Sequence, residues 1–189
     1  MVPSLILNIL IVLFVVGSIA RDLRKANPKR ALFRYFTTLS NVLCAIAALI
    51  AAILLPFGKL PFWALLLKYT GTAAVTVTML TVLFFLLPIS HDWKGLLSGA
   101  ELFLHLICPL LAIVSFLVFE KTAMPAWVIA VGAAPVLLYG LLYLYKVIFA
   151  PAARRWEDFY GFNRNGKWAL SFGLMLLGGV LVAFLLRVI

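Results

Sequence analysis

The chain has 189 residues, of which 66% are hydrophobic and 12% charged, with a mean hydropathy of +1.16 and a formal net charge of +10. Those proportions exclude an ordinary soluble domain, and no nucleic-acid-binding motif accompanies the positive charge. They specify an integral membrane protein of the all-α class.

A helix needs about 20 mainly apolar residues to cross the hydrocarbon, so windows free of Asp, Glu, Lys and Arg mark the candidate spans. The first, Pro3 to Ala20, has no basic segment before it and is followed by five more, which favours a retained helix over a secretory signal. It carries Asn8, whose amide is expected to bond a neighbouring helix. The second, Tyr35 to Phe57, opens on the stretch RYFTTLSN, which packs Thr37, Thr38, Ser40 and Asn41 around Leu39. The third, Tyr69 to Ser90, holds Thr72, Thr76, Thr78 and Thr81, residues that can bond their own helix carbonyls. The fourth, Leu102 to Phe119, contains His105, Cys108 and Pro109; the fifth, Ala123 to Tyr145, contains Pro135, Tyr139 and Tyr143; the sixth is Trp168 to Leu186. Pro109 and Pro135 are expected to kink their helices. Strands of a membrane barrel would alternate apolar and polar residues, which these runs do not. The six windows use most of the chain, so residues 1–189 read as a single six-helix transmembrane domain. Cys44 and Cys108, both inside spans, suggest neither a disulfide framework nor a metal site.

Basic residues are retained on the cytoplasmic side during insertion. Arg21, Arg24, Lys25, Lys29, Arg30 and Arg34 fall after the first span, Lys94 after the third, and Lys146, Arg154, Arg155, Arg164 and Lys167 after the fifth. Lys59, Lys68, Lys121 and Arg187 fall on the other side. The links 21–34, 91–101 and 146–167 are therefore predicted cytoplasmic, in a plasma membrane.

Polar side chains inside hydrocarbon are costly unless paired or used. His105 sits among Phe103, Leu104 and Leu106, and Glu101 lies four residues earlier on the same helix face, where its carboxylate could hold the ring in one tautomer. Thr37 is the third residue of its window and His105 the fourth of its own, both counted from the same face of the membrane. At about 1.5 Å per residue they lie at nearly the same depth and can meet. Ser40 and Asn41, three and four positions beyond Thr37, share its helix face and can act as oxyanion donors or orienting groups. Hydroxyl, base and donors form a hydrolase grouping: His105 takes the proton as Thr37 attacks an ester carbonyl, and water releases the acyl group. The competing reading is helix glue, the usual role of Thr and Ser between membrane helices. No metal or organic cofactor is required by either.

RYFTTLSN, VTVTMLTVLFFLLP in the third span, LHLICPLLAI in the fourth and PVLLYGLLYLYK in the fifth, in that order, resemble the bacterial six-span integral membrane proteins related to the androgen-induced protein family. The resemblance implies an intramembrane threonine hydrolase of fatty acid esters of hydroxy fatty acids, with its threonine on Thr37 and its histidine on His105. It also implies a bacterial inner-membrane setting and a lipid or fatty acyl ester as partner, with no nucleic acid. Glu101 stands where similar sequences carry an amide, and DFYGFNRNGKW replaces a YPF element after the fifth span. The alternative class is a non-catalytic lipid-binding or transport bundle whose polar cluster lines a cavity; an acyltransferase built on Cys108 is a third, weaker option.

Overall fold

Six helices of the computed structural model, which describes residues 2–25 and 29–189, are long and apolar enough to cross a membrane. They are α1 (Val2–Arg24), α2 (Phe36–Phe57), α3 (Phe62–Ser90), α4 (Gly99–Glu120), α5 (Val128–Phe149) and α6 (Trp168–Val188). No strand occurs among the described residues, and positions 26–28 of the predicted 21–34 link lie outside them. The protein is an all-α integral membrane bundle.

α3 is the axis of the bundle, packed against α2, α4, α5 and α6. Every residue from Lys68 to Met79 is buried. A helix surrounded on all sides by other helices needs small side chains to let their backbones approach, and α3 supplies Gly71, Ala73, Ala74 and four threonines there. A methyl group at Gly71 would lie 3.0 Å from the Cα of Cys44, so α2 and α3 touch through their backbones. Gly132 of α5 makes room for the ring of Tyr69, which would come within 2.6 Å of an added Cβ, and the Tyr69 hydroxyl donates to the Ala183 carbonyl of α6 at 2.6 Å. Exposed Leu13, Ile46, Phe84, Leu138 and Leu177 form part of the apolar outer surface that faces the hydrocarbon.

Several spans are longer than the charge-free windows, because charges occur inside them. α3 begins seven residues before Tyr69, and Lys68, assigned from its charge to an interhelical link, is a fully buried residue of the span. Its partners explain how hydrocarbon tolerates it. Lys68 Nζ donates to Asn8 Oδ1 of α1 and lies 3.8 Å from Glu120 Oε2 at the end of α4. Glu120 Oε1 in turn accepts from Ser4 at 2.6 Å, Asn8 Nδ2 at 2.5 Å and Ser115 at 2.6 Å. The network binds α1, α3 and α4 together at the end of the bundle opposite Thr37.

α4 is irregular where it matters. Phe103–Ile107 is a π-helical turn, in which Cys108 N–H reaches back to Phe103 rather than to Leu104, and Pro109 follows directly. In that wider register Pro109 is the residue that would have served the Leu104 carbonyl, and it has no N–H to give. The fifth span runs through Pro135 as one continuous helix before ending in a π turn over Tyr145–Phe149.

Removing one member of a buried ion pair strands the other, at a cost of about 3–5 kcal/mol, whereas replacing both can be nearly neutral. Lys68→Met is therefore expected to destabilise the protein by about that amount, and Lys68→Met combined with Glu120→Gln to recover most of it. Equilibrium unfolding in mixed detergent micelles measures the coupling; additive effects of the two substitutions would show that the pair is not one unit.

Candidate active site

Thr37 lies in the first turn of α2 and His105 in the π turn of α4, and their side chains meet: Thr37 Oγ1 is 3.4 Å from His105 Nε2. The imidazole is buried and Thr37 is half-buried. What fixes the ring is a backbone carbonyl. His105 Nδ1 lies 2.7 Å from the Leu96 oxygen, and since a carbonyl can only accept, Nδ1 carries the hydrogen. When the ring is neutral, Nε2 carries the lone pair and faces the Thr37 hydroxyl, the tautomer a general base requires.

Leu96 owes its position to the link before α4. Asp92 caps the short turn Trp93–Leu96, accepting from Gly95 N–H at 2.8 Å, and His91 adopts a left-handed conformation (φ 55°) that turns the chain out of α3. The last carbonyls of such a turn have no intrahelical donor, which leaves Leu96 free to receive the imidazole N–H.

Glu101 meets the imidazole on its Thr37 side. Its Oε2 lies 3.3 Å from Nε2, the same nitrogen that faces Thr37, because Nδ1 is already occupied by Leu96. With its side chain 40% exposed, Glu101 stands at the mouth of the site, placed to pair with the imidazolium whenever Nε2 takes up a proton.

Ser40 and Asn41 are buried beside Thr37. Ser40 Oγ contacts the Thr37 carbonyl at 3.1 Å and Thr78 Oγ1 at 2.8 Å, joining α2 to α3. Asn41 Nδ2 uses its two hydrogens on the Thr37 carbonyl at 2.8 Å and the Leu104 carbonyl at 3.0 Å. The second of these is the carbonyl that Pro109 leaves without a donor, so one amide ties the turn bearing Thr37 to the turn bearing His105. Asn41 Oδ1 is buried and has no hydrogen-bond partner among the described residues. Cys108, the sulfur of the third reading, is fully buried in the apolar cluster that also holds Cys44, and both thiols are free.

Sequence reasoning passed over Tyr160. The link after α5 folds back over the helix ends as an aromatic layer in which Trp156, Phe159, Tyr160 and Phe162 pack on Tyr139 and Tyr143. Asp158 organises it, accepting from Tyr143 Oη at 3.0 Å, Phe162 N–H at 2.7 Å and Asn163 N–H at 2.7 Å. Tyr160 N–H donates to Tyr143 Oη at 3.1 Å, and the Tyr160 hydroxyl then reaches the N-terminus of α2, where Phe36 N–H donates to it at 3.0 Å and the side chain and amide of Thr37 face it. Burial pushes this phenol up to about 12, so it keeps its proton at any ordinary pH. The only hints in the sequence were an Asp and a Gly among aromatic residues in DFYGFN.

Between α2 and α5 lies a groove of about 280 Å³, lined by Phe36, Leu39, Ser40, Leu43, Pro135, Leu138, Tyr139 and Leu142. Thr37 is not among its walls, but Phe36 and Ser40, on either side of it in sequence, are. Among the described residues, no group of three or more His, Cys, Asp and Glu side chains could hold a metal ion.

Comparison with protein-family profiles, characterised proteins and solved structures returns no match to this chain.

The tautomer is open to direct measurement. The chain has two histidines, so in ¹⁵N-histidine-labelled His91→Gln protein the signals of His105 stand alone. Its Nδ1 is expected in the protonated, pyrrole-like region and Nε2 in the unprotonated, pyridine-like region; the reverse assignment would remove the base from Thr37.

Proposed function

We propose that the protein is an intramembrane hydrolase of lipid esters of the fatty acid ester type, with Thr37 as nucleophile and His105 as general base. The reading rests on one observation above all: Leu96 holds the Nδ1 hydrogen, so the free lone pair of a buried imidazole is directed at a threonine hydroxyl 3.4 Å away. Thr70 and Thr76, by contrast, give their hydroxyl hydrogens to carbonyls of their own helix at 2.8 and 2.7 Å, and among the described residues no base faces them. The sequence resemblance to androgen-induced protein relatives supports the same pair and the same ester class.

In the proposed cycle His105 Nε2 accepts the Thr37 proton as Oγ1 bonds to the ester carbonyl carbon. Collapse of the tetrahedral intermediate breaks the bond to the alcohol oxygen, which leaves with the proton from Nε2. Water then attacks the acyl-threonine with its proton passing to Nε2, and that proton returns to Thr37 Oγ1 as the fatty acid departs. Glu101, 3.3 Å from Nε2, is adjacent to the imidazolium in each half-reaction and favours it by charge. The groove between α2 and α5 suits the acyl chain, since it is apolar and ends at Phe36 and Ser40. With the charge-derived orientation, the pair would act at the cytoplasmic face of a bacterial plasma membrane.

Purified protein in detergent is expected to react with a fluorophosphonate probe and to hydrolyse a fluorogenic acyl ester. Thr37→Ala should abolish both, and His105→Ala should slow them about 10²–10⁴-fold, the usual contribution of general-base catalysis. Labelling of Thr37→Ala at the wild-type rate would eliminate the hydrolase and leave a lipid-binding or transport bundle. Filling the groove with Leu138→Trp is expected to raise KM for long-chain esters while sparing acetyl esters; equal effects on both would place the acyl chain elsewhere.

A further inference from the structure

The proposed reaction needs a donor for the negative oxygen that forms when Thr37 attacks, and the obvious candidates are engaged. Both Asn41 hydrogens go to carbonyls, Ser40 lies between the Thr37 carbonyl and Thr78, and Phe36 N–H is bonded to Tyr160. Tyr160 is different in kind. Its oxygen accepts from Phe36 N–H at 3.0 Å, which leaves the phenolic hydrogen to point elsewhere, and the hydroxyl faces the side chain of Thr37.

We propose that Tyr160 is a catalytic residue, donating its phenolic hydrogen to the ester oxygen as that oxygen becomes negative; this rests on the Thr37 hydrolase reading. As Oγ1 bonds to carbon, the carbonyl π pair moves onto oxygen and the hydroxyl proton passes to His105 Nε2. Tyr160 holds the oxyanion without losing its own proton, and releases it when the pair returns and the alcohol oxygen leaves. Phe36 N–H, at the positive end of α2, polarises the phenol toward donation, because an O–H whose oxygen accepts a hydrogen bond is the stronger donor.

The aim of that phenol is fixed by Asp158. Its carboxylate gathers Tyr143 and the backbone of residues 162 and 163, and Tyr143 takes Tyr160 N–H, so the loop is pinned on both sides of Tyr160. The Tyr139 hydroxyl, a second phenol in the same layer, gives its hydrogen to the Arg34 carbonyl at 2.7 Å, so it has none to offer an oxyanion and its oxygen stands as an acceptor beside the Tyr160 hydroxyl. Asp158 and Tyr143 are positioning residues in this arrangement. The aromatic cover they build also withdraws Thr37 from bulk water, which strengthens any hydrogen bond made to the oxyanion.

The test compares wild type, Tyr160→Phe and protein carrying trifluorotyrosine at position 160, all full-length in detergent with a p-nitrophenyl acyl ester. Tyr160→Phe is expected to lower kcat about 10²-fold, the usual cost of one oxyanion donor, with KM nearly unchanged and the residual activity still abolished by Thr37→Ala. The fluorinated phenol is expected to introduce a new loss of activity at alkaline pH, where it ionises and can no longer donate. Tyr160 that merely capped α2 would not produce that limb, since a phenolate still accepts from Phe36 N–H. Wild-type kcat in Tyr160→Phe, or an unchanged pH profile with trifluorotyrosine, overturns the assignment while leaving Thr37 intact. A wild-type protein that neither turns over nor labels at Thr37 removes the hydrolase reading and this inference with it.

Discussion

A backbone carbonyl with no donor inside hydrocarbon costs several kcal/mol, and Leu104 is such a carbonyl, deprived of its partner by a π turn followed by Pro109. Asn41 repays that deficit with one hydrogen and spends the other on the carbonyl of Thr37. The bond that makes α4 tolerable in a membrane is thus the bond that registers α2 against it. The depth and rotation of Thr37 and His105 follow from this joint demand. A packing defect in one helix and a polar side chain in the next are two halves of one device.

The bundle holds its polar groups at two ends of a common axis. Around Lys68, Asn8, Ser4, Ser115 and Glu120 the network is closed on itself, buried and charged, and it fastens α1, α3 and α4. Around Thr37 the groups are neutral or, like Glu101, half-exposed, and they meet an inter-span link. α3 serves both ends, with Lys68 near one and Thr78, bonded to Ser40, near the other. The contrast between a sealed network and an accessible one distinguishes a fastening from a candidate site.

The six spans were legible because hydrocarbon imposes a length and an apolarity that few other environments demand. Their ends were less so. Counting charges cut α3 short at Lys68 and α4 short at Glu101 and Glu120, since a one-dimensional count cannot see that Lys68 and Glu120 neutralise each other across three helices. The encounter of Thr37 with His105 was foreseeable from helix rise and a shared starting face. The roles of their neighbours were not. Leu96 acts through its carbonyl, which every residue has, so its side chain carries no signal. Glu101 was placed on the right face, but which ring nitrogen it meets was not foreseeable. Tyr160 lies 123 positions beyond Thr37 in the chain, and only the fold of an irregular link brings it to α2.

The groove between α2 and α5 has Leu138 and Leu142 in its wall, residues exposed on the outer apolar surface of the bundle. An acyl ester held there, as proposed above, would arrive by lateral diffusion in two dimensions, so its occupancy would follow its mole fraction in the bilayer and not its bulk concentration. Diluting such a protein with inert detergent lowers the surface density of its ligand even when the amount per volume is constant. For such a ligand, affinity at this groove would be a property of the membrane's composition as much as of the eight side chains that line it.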